Sequence, residues 1–137
     1  MFFQVQHSHD LPVYGQLVRQ VKFAVASGAL APGELIPSVR ELARRLAVNP
    51  NTVARAYRQL QDDQVLDALP GTGLQVARGA PRRCRSERTK LIRERLRQVI
   101  EEARKSQLDG AEVRQIVATE LNAVLGNEQP PRRKSEK

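Results

Sequence analysis

Two marked helix starts, with only a short turn between the first helix and the second, constrain this chain more than any other feature. Ser38-Val39-Arg40-Glu41 has the S-x-x-E form of a capping box. In that form, Ser and Glu each satisfy a backbone N–H at the helix end. It opens a helix predicted over Ser38 to Leu46, with Val39, Leu42, Ala43 and Leu46 inward and Arg40, Arg44 and Arg45 outward. Asn49-Pro50 marks the second start. The Asn side chain caps a free N–H of the first turn, and Pro at the first helical position gives up an N–H that had no partner. That helix is predicted over Asn49 to Asp63, which leaves Ala47 and Val48 for the turn. Two helices joined this tightly, the second opening polar and basic, make a helix-turn-helix.

Within the second helix Val53, Ala54, Tyr57 and Leu60 form an apolar stripe. The opposite face carries Asn51, Thr52, Arg55, Arg58 and Gln59. These side chains bond to base edges and phosphates and do no acid–base chemistry. Such a helix suits the major groove of duplex DNA, about 12 Å wide. An ordinary amphipathic surface helix fits the same spacing, so the flanking sequence decides.

Upstream, Tyr14, Leu17, Val18, Val21, Ala24 and Val25 keep helical spacing over residues 11–27, and Gly28 suits a C-terminal cap. The following ALAPGELIP allows only a brief strand or extended link. Downstream, Pro70-Gly71-Thr72-Gly73 separates two short alternating runs and predicts a hairpin, whose glycines let its tip approach a phosphate backbone. The expected fold is mainly α, a winged helix-turn-helix of three helices plus a β-hairpin wing over residues 11–77. An N-terminal arm, residues 1–10, precedes it, expected as a loose arm or a short extended lead-in.

Residues 78–90, RGAPRRCRSERTK, interrupt the pattern and read as a basic linker. Net charge is concentrated there: residues 1–77 hold seven Lys/Arg against six Asp/Glu, residues 78–95 eight against two, and residues 96–137 eight against seven. A polyanion partner and a solvated linker both fit that run. Apolar stripes return at Ile92, Leu96, Val99, Ile100 and Ala103 and at Val113, Ile116, Val117, Leu121 and Val124. Residues 91–125 are therefore expected to be a short helical hairpin for dimerisation, since two such helices bury their stripes poorly alone and pair well with a second copy. Packing back onto the winged domain is the alternative. Residues 126–137 are expected to be a disordered tail.

Several function classes fall away. Aromatic residues are 4% of the chain, too few for a base-stacking platform that binds single strands. One cysteine, Cys84, permits no intrachain disulfide and no thiolate metal cluster. Its arginine neighbours would favour a thiolate; an incidental exposed thiol is the simpler reading. His7 and His9 lack an obvious third metal ligand. No Ser/His/Asp set, phosphate loop or ligand cluster is present, so neither catalysis nor a cofactor or metal is expected. No apolar run reaches membrane-spanning length, and the N-terminus has no basic-then-apolar signal, so a cytoplasmic location is expected.

Residues 11–77 resemble the GntR family of bacterial transcription regulators. The most specific segments are PGELIPSVRELA at 32–43 and VNPNTVARAYRQL at 48–60, the second most similar to the YtrA-like subfamily. The resemblance implies a homodimeric, sequence-specific DNA-binding repressor with a short helical C-terminal piece. By motif position it assigns DNA contacts to Arg40, to Asn49, Asn51, Thr52 and Arg55, and to Gly71 and Gly73 at the wing tip. The chain departs from the family at Pro50 and Ala54, where many members carry arginine. It departs again in the wing, which lacks the usual basic and aromatic residues. Arg78, Arg82, Arg83 and Arg85 are candidates to replace those wing contacts.

The expected function is a transcriptional regulator that binds double-stranded DNA as a homodimer through its C-terminal helices, with helix 49–63 in the major groove. The expected DNA-facing set is Ser38, Arg40, Asn49, Asn51, Thr52, Arg55 and Arg58, with Gly71, Thr72 and Gly73 at the wing. No effector ligand can be named from the sequence. The alternative is a winged-helix module that binds protein and does not read DNA.

Overall fold

The structure, a computed structural model, describes residues 3–7 and 10–126. Its elements are α1 (Val13–Ser27), α2 (Val39–Leu46), α3 (Pro50–Asp62), β1 (Leu66–Leu69), β2 (Gly73–Val76), α4 (Ala80–Lys105) and α5 (Gly110–Leu125). They group into two compact units that divide between Ile92 and Arg93. No helix among the described residues is long and apolar enough to cross a membrane.

In the first unit α1 and α2 both pack on α3, and α3 leads into β1. The helix starts follow the cap chemistry. Ser38 Oγ accepts from the Glu41 N–H at 3.1 Å, and Asn49 Oδ1 accepts from the Asn51 N–H at 2.8 Å. The capping box is only half formed, because the Glu41 carboxylate pairs with Arg45 one turn on. Ala47 closes the turn in the left-handed conformation, φ 53°.

The hairpin pairs Leu66 with Val76 and Leu69 with Gly73. Its tip needs positive φ at Gly71, 77°, and Gly73, 137°, which a side chain would resist. The extended segment around Leu35 lies along the other edge of β2. There Ile36 N–H donates to Leu74 O at 3.0 Å, and Gly33 N–H donates to Val76 O at 2.8 Å.

Leu17, Val21, Val25, Leu30, Leu42, Val53, Leu60, Val65, Leu66 and Val76 fill one core. On α3 the buried set is Val53, Ala56, Tyr57 and Leu60. Ala56 thus occupies the position expected of Ala54, which is half-buried.

Three further sequence expectations are corrected. The N-terminal arm is not loose over residues 3–7: Phe3 and Val5 pack on the core. Buried Gln16 accepts from the Gln6 N–H and donates to Gln6 O at 2.7 Å and Leu11 O at 2.8 Å. Gln20, one turn along, holds the Gln4 backbone in the same two-way manner. Second, the basic linker expected at 78–90 is helical from Ala80 onward. Pro81 falls in the first turn, where a missing N–H costs nothing, and Ala80 and Cys84 seal the core one turn apart. Third, Cys84 is neither exposed nor poised as a thiolate. It is 1% exposed, and burial, with Glu87 nearby, pushes its thiol pKa up.

The second unit holds the rest of α4 and α5. Asp109 caps α5 by accepting from the Glu112 N–H at 2.8 Å. A groove of about 570 Å³ runs between the two helices, lined by Ile100, Leu108, Val113, Val117 and Leu121 with Arg104 and Arg114 at its rim. No residue of α5 is buried. The tail from residue 127 lies outside the described residues.

Candidate nucleic-acid interface

The expected contact residues occupy the first turns of α2 and α3 and the hairpin tip. Ser38 and Arg40 stand at the start of α2, and both are exposed. Asn49 and Asn51 are exposed at the start of α3, Thr52 is half-buried, and Arg55 and Arg58 follow on the outer face. Gly71, Thr72 and Gly73 are exposed at the tip. The buried stripe of α3 explains the arrangement: once Val53, Tyr57 and Leu60 turn inward, the 3.6-residue period turns Asn51, Arg55 and Arg58 outward.

Capping takes part of the hydrogen-bonding capacity of two of these residues. Asn49 Oδ1 and Ser38 Oγ each accept from their own helix, which uses one acceptor lone pair of each and leaves their donor groups free to face outward. Arg40, Arg44 and Arg58 are uncommitted: among the described residues none makes an ion pair or side-chain hydrogen bond. Arg45 is paired with Glu41, and Arg83 donates to Gln64 O. Arg83 is therefore occupied within the protein and drops out of the arginine group offered as a substitute for wing contacts.

Two features of the site carry no local sequence signal. The Arg55 guanidinium carbon sits 3.8 Å from the centroid of the Tyr14 ring on α1. The far end of α3 is held by charge. Lys22 Nζ lies 2.8 Å from Asp63 Oδ2 and 2.7 Å from Glu87 Oε2. Burial alone would lower the Lys22 pKa, but hydrogen bonds to both carboxylates outweigh it and hold the amine above its usual value. Burial would raise Asp63, yet Lys22 and Gln59 bring its carboxyl below the usual range. No group of three or more potential metal ligands occurs among the described residues, and His9 lies outside them.

Comparison with known proteins places this arrangement. Residues 13–76 match the model of the bacterial regulatory proteins of the gntR family. The chain is 34% identical to the HTH-type transcriptional repressor YtrA of Bacillus subtilis over 100 residues, 73% of this chain and 77% of that protein.

The chain belongs to the GntR family.

A transcriptional regulator of Mycobacterium tuberculosis is 43% identical over 70 residues, 51% of this chain and 58% of its own length. The crystal structure of a transcriptional regulator from Oenococcus oeni superimposes with a TM-score of 0.67 at 34% identity, covering 91% of this chain and all of that one. The last of these, spanning 91% of this chain, extends over the C-terminal helices as well as the winged unit. The similarities bear out the winged helix-turn-helix with C-terminal helices expected from the sequence, and they support a DNA-binding transcriptional regulator, not an enzyme.

Proposed function

We propose that this GntR-family protein is a homodimeric repressor that reads a two-fold operator, with α3 of each copy in a major groove and the paired C-terminal helices joining the copies. The observation that carries this reading is the outer face of α2 and α3. Arg40, Asn51 and Arg58 stand exposed there with no side-chain hydrogen bond or ion pair among the described residues, and the donor groups of Ser38 and Asn49 stand beside them. Asn51 carries the paired donor and acceptor that bond adenine bidentately, and Arg40 and Arg55 carry the donors that bond guanine or phosphate. Thr52, Arg58 and the Gly71–Gly73 tip make backbone contacts that set register. Occupancy of the operator, in the cytoplasm, excludes polymerase.

The exposed Ile100, Ile116, Leu121 and Val124 support the dimer. Their exposures run from 40% to 77%, and a second copy supplies the cover that the described residues do not. The test is a gel shift of the full-length protein on the DNA upstream of its own gene and on unrelated duplex. A preference for one sequence, lost in Asn51→Ala with folding intact, is the expected result. Equal affinity for all duplexes would favour the reading as a protein-binding winged module.

A further inference from the structure

The stacking of Arg55 on Tyr14 assigns a role to a residue outside the helix-turn-helix. The guanidinium carbon stands over the ring, 3.8 Å from its centroid, well inside cation–π range. Held against Tyr14 in this way, Arg55 spends none of its N–H donors on the protein's described residues. Arg55 makes no ion pair or hydrogen bond among the described residues, so the ring is its principal restraint. Arginine is otherwise a mobile side chain, and a planar fork gains discrimination when its plane is set beforehand.

Tyr14 is itself fixed. It is half-buried on α1 and packs against the core, and α1 packs on α3. The neighbouring recognition-face arginines lack such a platform: among the described residues Arg40 and Arg58 have no cation–π contact. One arginine of the set is therefore oriented and the others are free to follow phosphates.

Resting on the proposed DNA-reading function, we propose that Tyr14 is the positioning residue for Arg55. By holding the guanidinium plane it makes Arg55 a base reader, and it thereby sets selectivity at one base-pair position in each half-site. The ring need not touch DNA. What it supplies is orientation, and the face-on contact of cation and ring supplies the force.

The experiment uses the full-length protein and a duplex that the wild type selects from a randomised pool. Affinities of wild type, Tyr14→Phe, Tyr14→Leu, Arg55→Ala and the Tyr14→Leu/Arg55→Ala double variant are measured on that duplex and on its single-base-pair variants. Tyr14→Leu is expected to lose about 2- to 5-fold of discrimination at the position where Arg55→Ala also loses it, and nowhere else. The double variant should match Arg55→Ala, and Tyr14→Phe should keep wild-type selectivity because it keeps the ring. Affinity of the Tyr14 single variants for unrelated duplex should hold, which a damaged fold would not allow. Should Leu loosen α1, Tyr14→Met repeats the measurement with an unbranched side chain. Additive losses, undiminished selectivity in Tyr14→Leu, or a Phe variant as poor as Leu would overturn the proposal. A wild type that selects no sequence would overturn the DNA-reading function together with it.

Discussion

The Tyr57 hydroxyl donates to the Pro37 carbonyl at 2.7 Å, and so ties the middle of α3 to the residue preceding the α2 cap. The bond spans the helix-turn-helix from outside its turn, and Tyr57 is 4% exposed. Tyr57→Phe removes the donor and leaves the ring in place. The expected cost is about 1 kcal/mol, read from urea unfolding. Burial also pushes the phenol pKa far above its ordinary value of 10.0. The folded value is the higher one, so this contribution is full below pH 10 and is lost as pH rises beyond it. An alkaline titration followed by ultraviolet absorbance should show Tyr57 ionising only as the protein unfolds.

Lys22 neutralises an unfavourable end. Asp62 and Asp63 close α3, where the helix dipole is negative and carboxylates are disfavoured. The Lys22 amine offsets that and bridges to Glu87 of α4. Lys22→Met should therefore destabilise more than an exposed ion pair does, by about 1–2 kcal/mol, and Asp63→Asn by less. The pH signs differ for the two groups. The Asp63 pKa is depressed in the folded state, so its contribution is present above the ordinary value of 3.8 and is lost as pH falls through the folded value. The Lys22 pKa is raised, so its contribution is present below 10.5 and is lost as pH rises through the folded value. Asp63→Asn should accordingly narrow its gap to wild type in acid, and Lys22→Met should narrow its own in alkali. A gap independent of pH would remove the charge argument.

These two ties also mark where sequence reading reached its limit. The starts of α2 and α3 were legible because capping is local: Ser38, Asn49 and Pro50 act within three residues of themselves. The hairpin was legible because Gly71 and Gly73 serve conformations other residues avoid. The first turns of α4 were not legible. Their inward signal is only Ala80 and Cys84, two small residues among arginines, beside a proline and a glycine that suggest a break. The arm was missed because its anchors, Gln16 and Gln20, are polar, and hydrophobic periodicity gives no weight to a carboxamide bonded to backbone. Tyr14 and Arg55 belong to different helices, and no spacing rule joins them. On the interface itself the residue types and the exposed face were readable; which side chains were already engaged in caps, pairs or stacks was not.

The turn between α2 and α3 carries removable strain. Ala47 sits at φ 53°, in the left-handed region, at the C-cap of α2. For a residue with a Cβ that region costs roughly 1–2 kcal/mol, and glycine is the usual occupant of such a cap. Ala47 is exposed, so no packing is lost on removing its methyl. Ala47→Gly should raise stability by about 0.5–1 kcal/mol, the rest being offset by the larger unfolded-state entropy of glycine. Its operator affinity should match wild type, because the turn keeps its shape. Thermal unfolding checks the first expectation and a binding titration the second; a lower melting temperature would show that the turn relaxes in solution to a geometry suited to alanine.

The dimer is tested most directly on α5, whose apolar residues the chain's own described residues leave uncovered. Leu121 is 52% exposed and lines the groove with Val117. A carboxylate at either position costs little in a monomer, where the site is wet, and a great deal in an interface, where the charge is buried without a partner. Val117→Asp/Leu121→Asp should therefore convert a dimer to a monomer in sedimentation at micromolar concentration, with the melting transition of the winged unit preserved. Operator affinity should fall to that of a single half-site. The dependence of log affinity on log salt should drop to roughly half its slope, because half the phosphate contacts are made. A wild type that already sediments as a monomer, or a variant that remains dimeric, would place the interface elsewhere and leave the exposed face of α5 for another occupant.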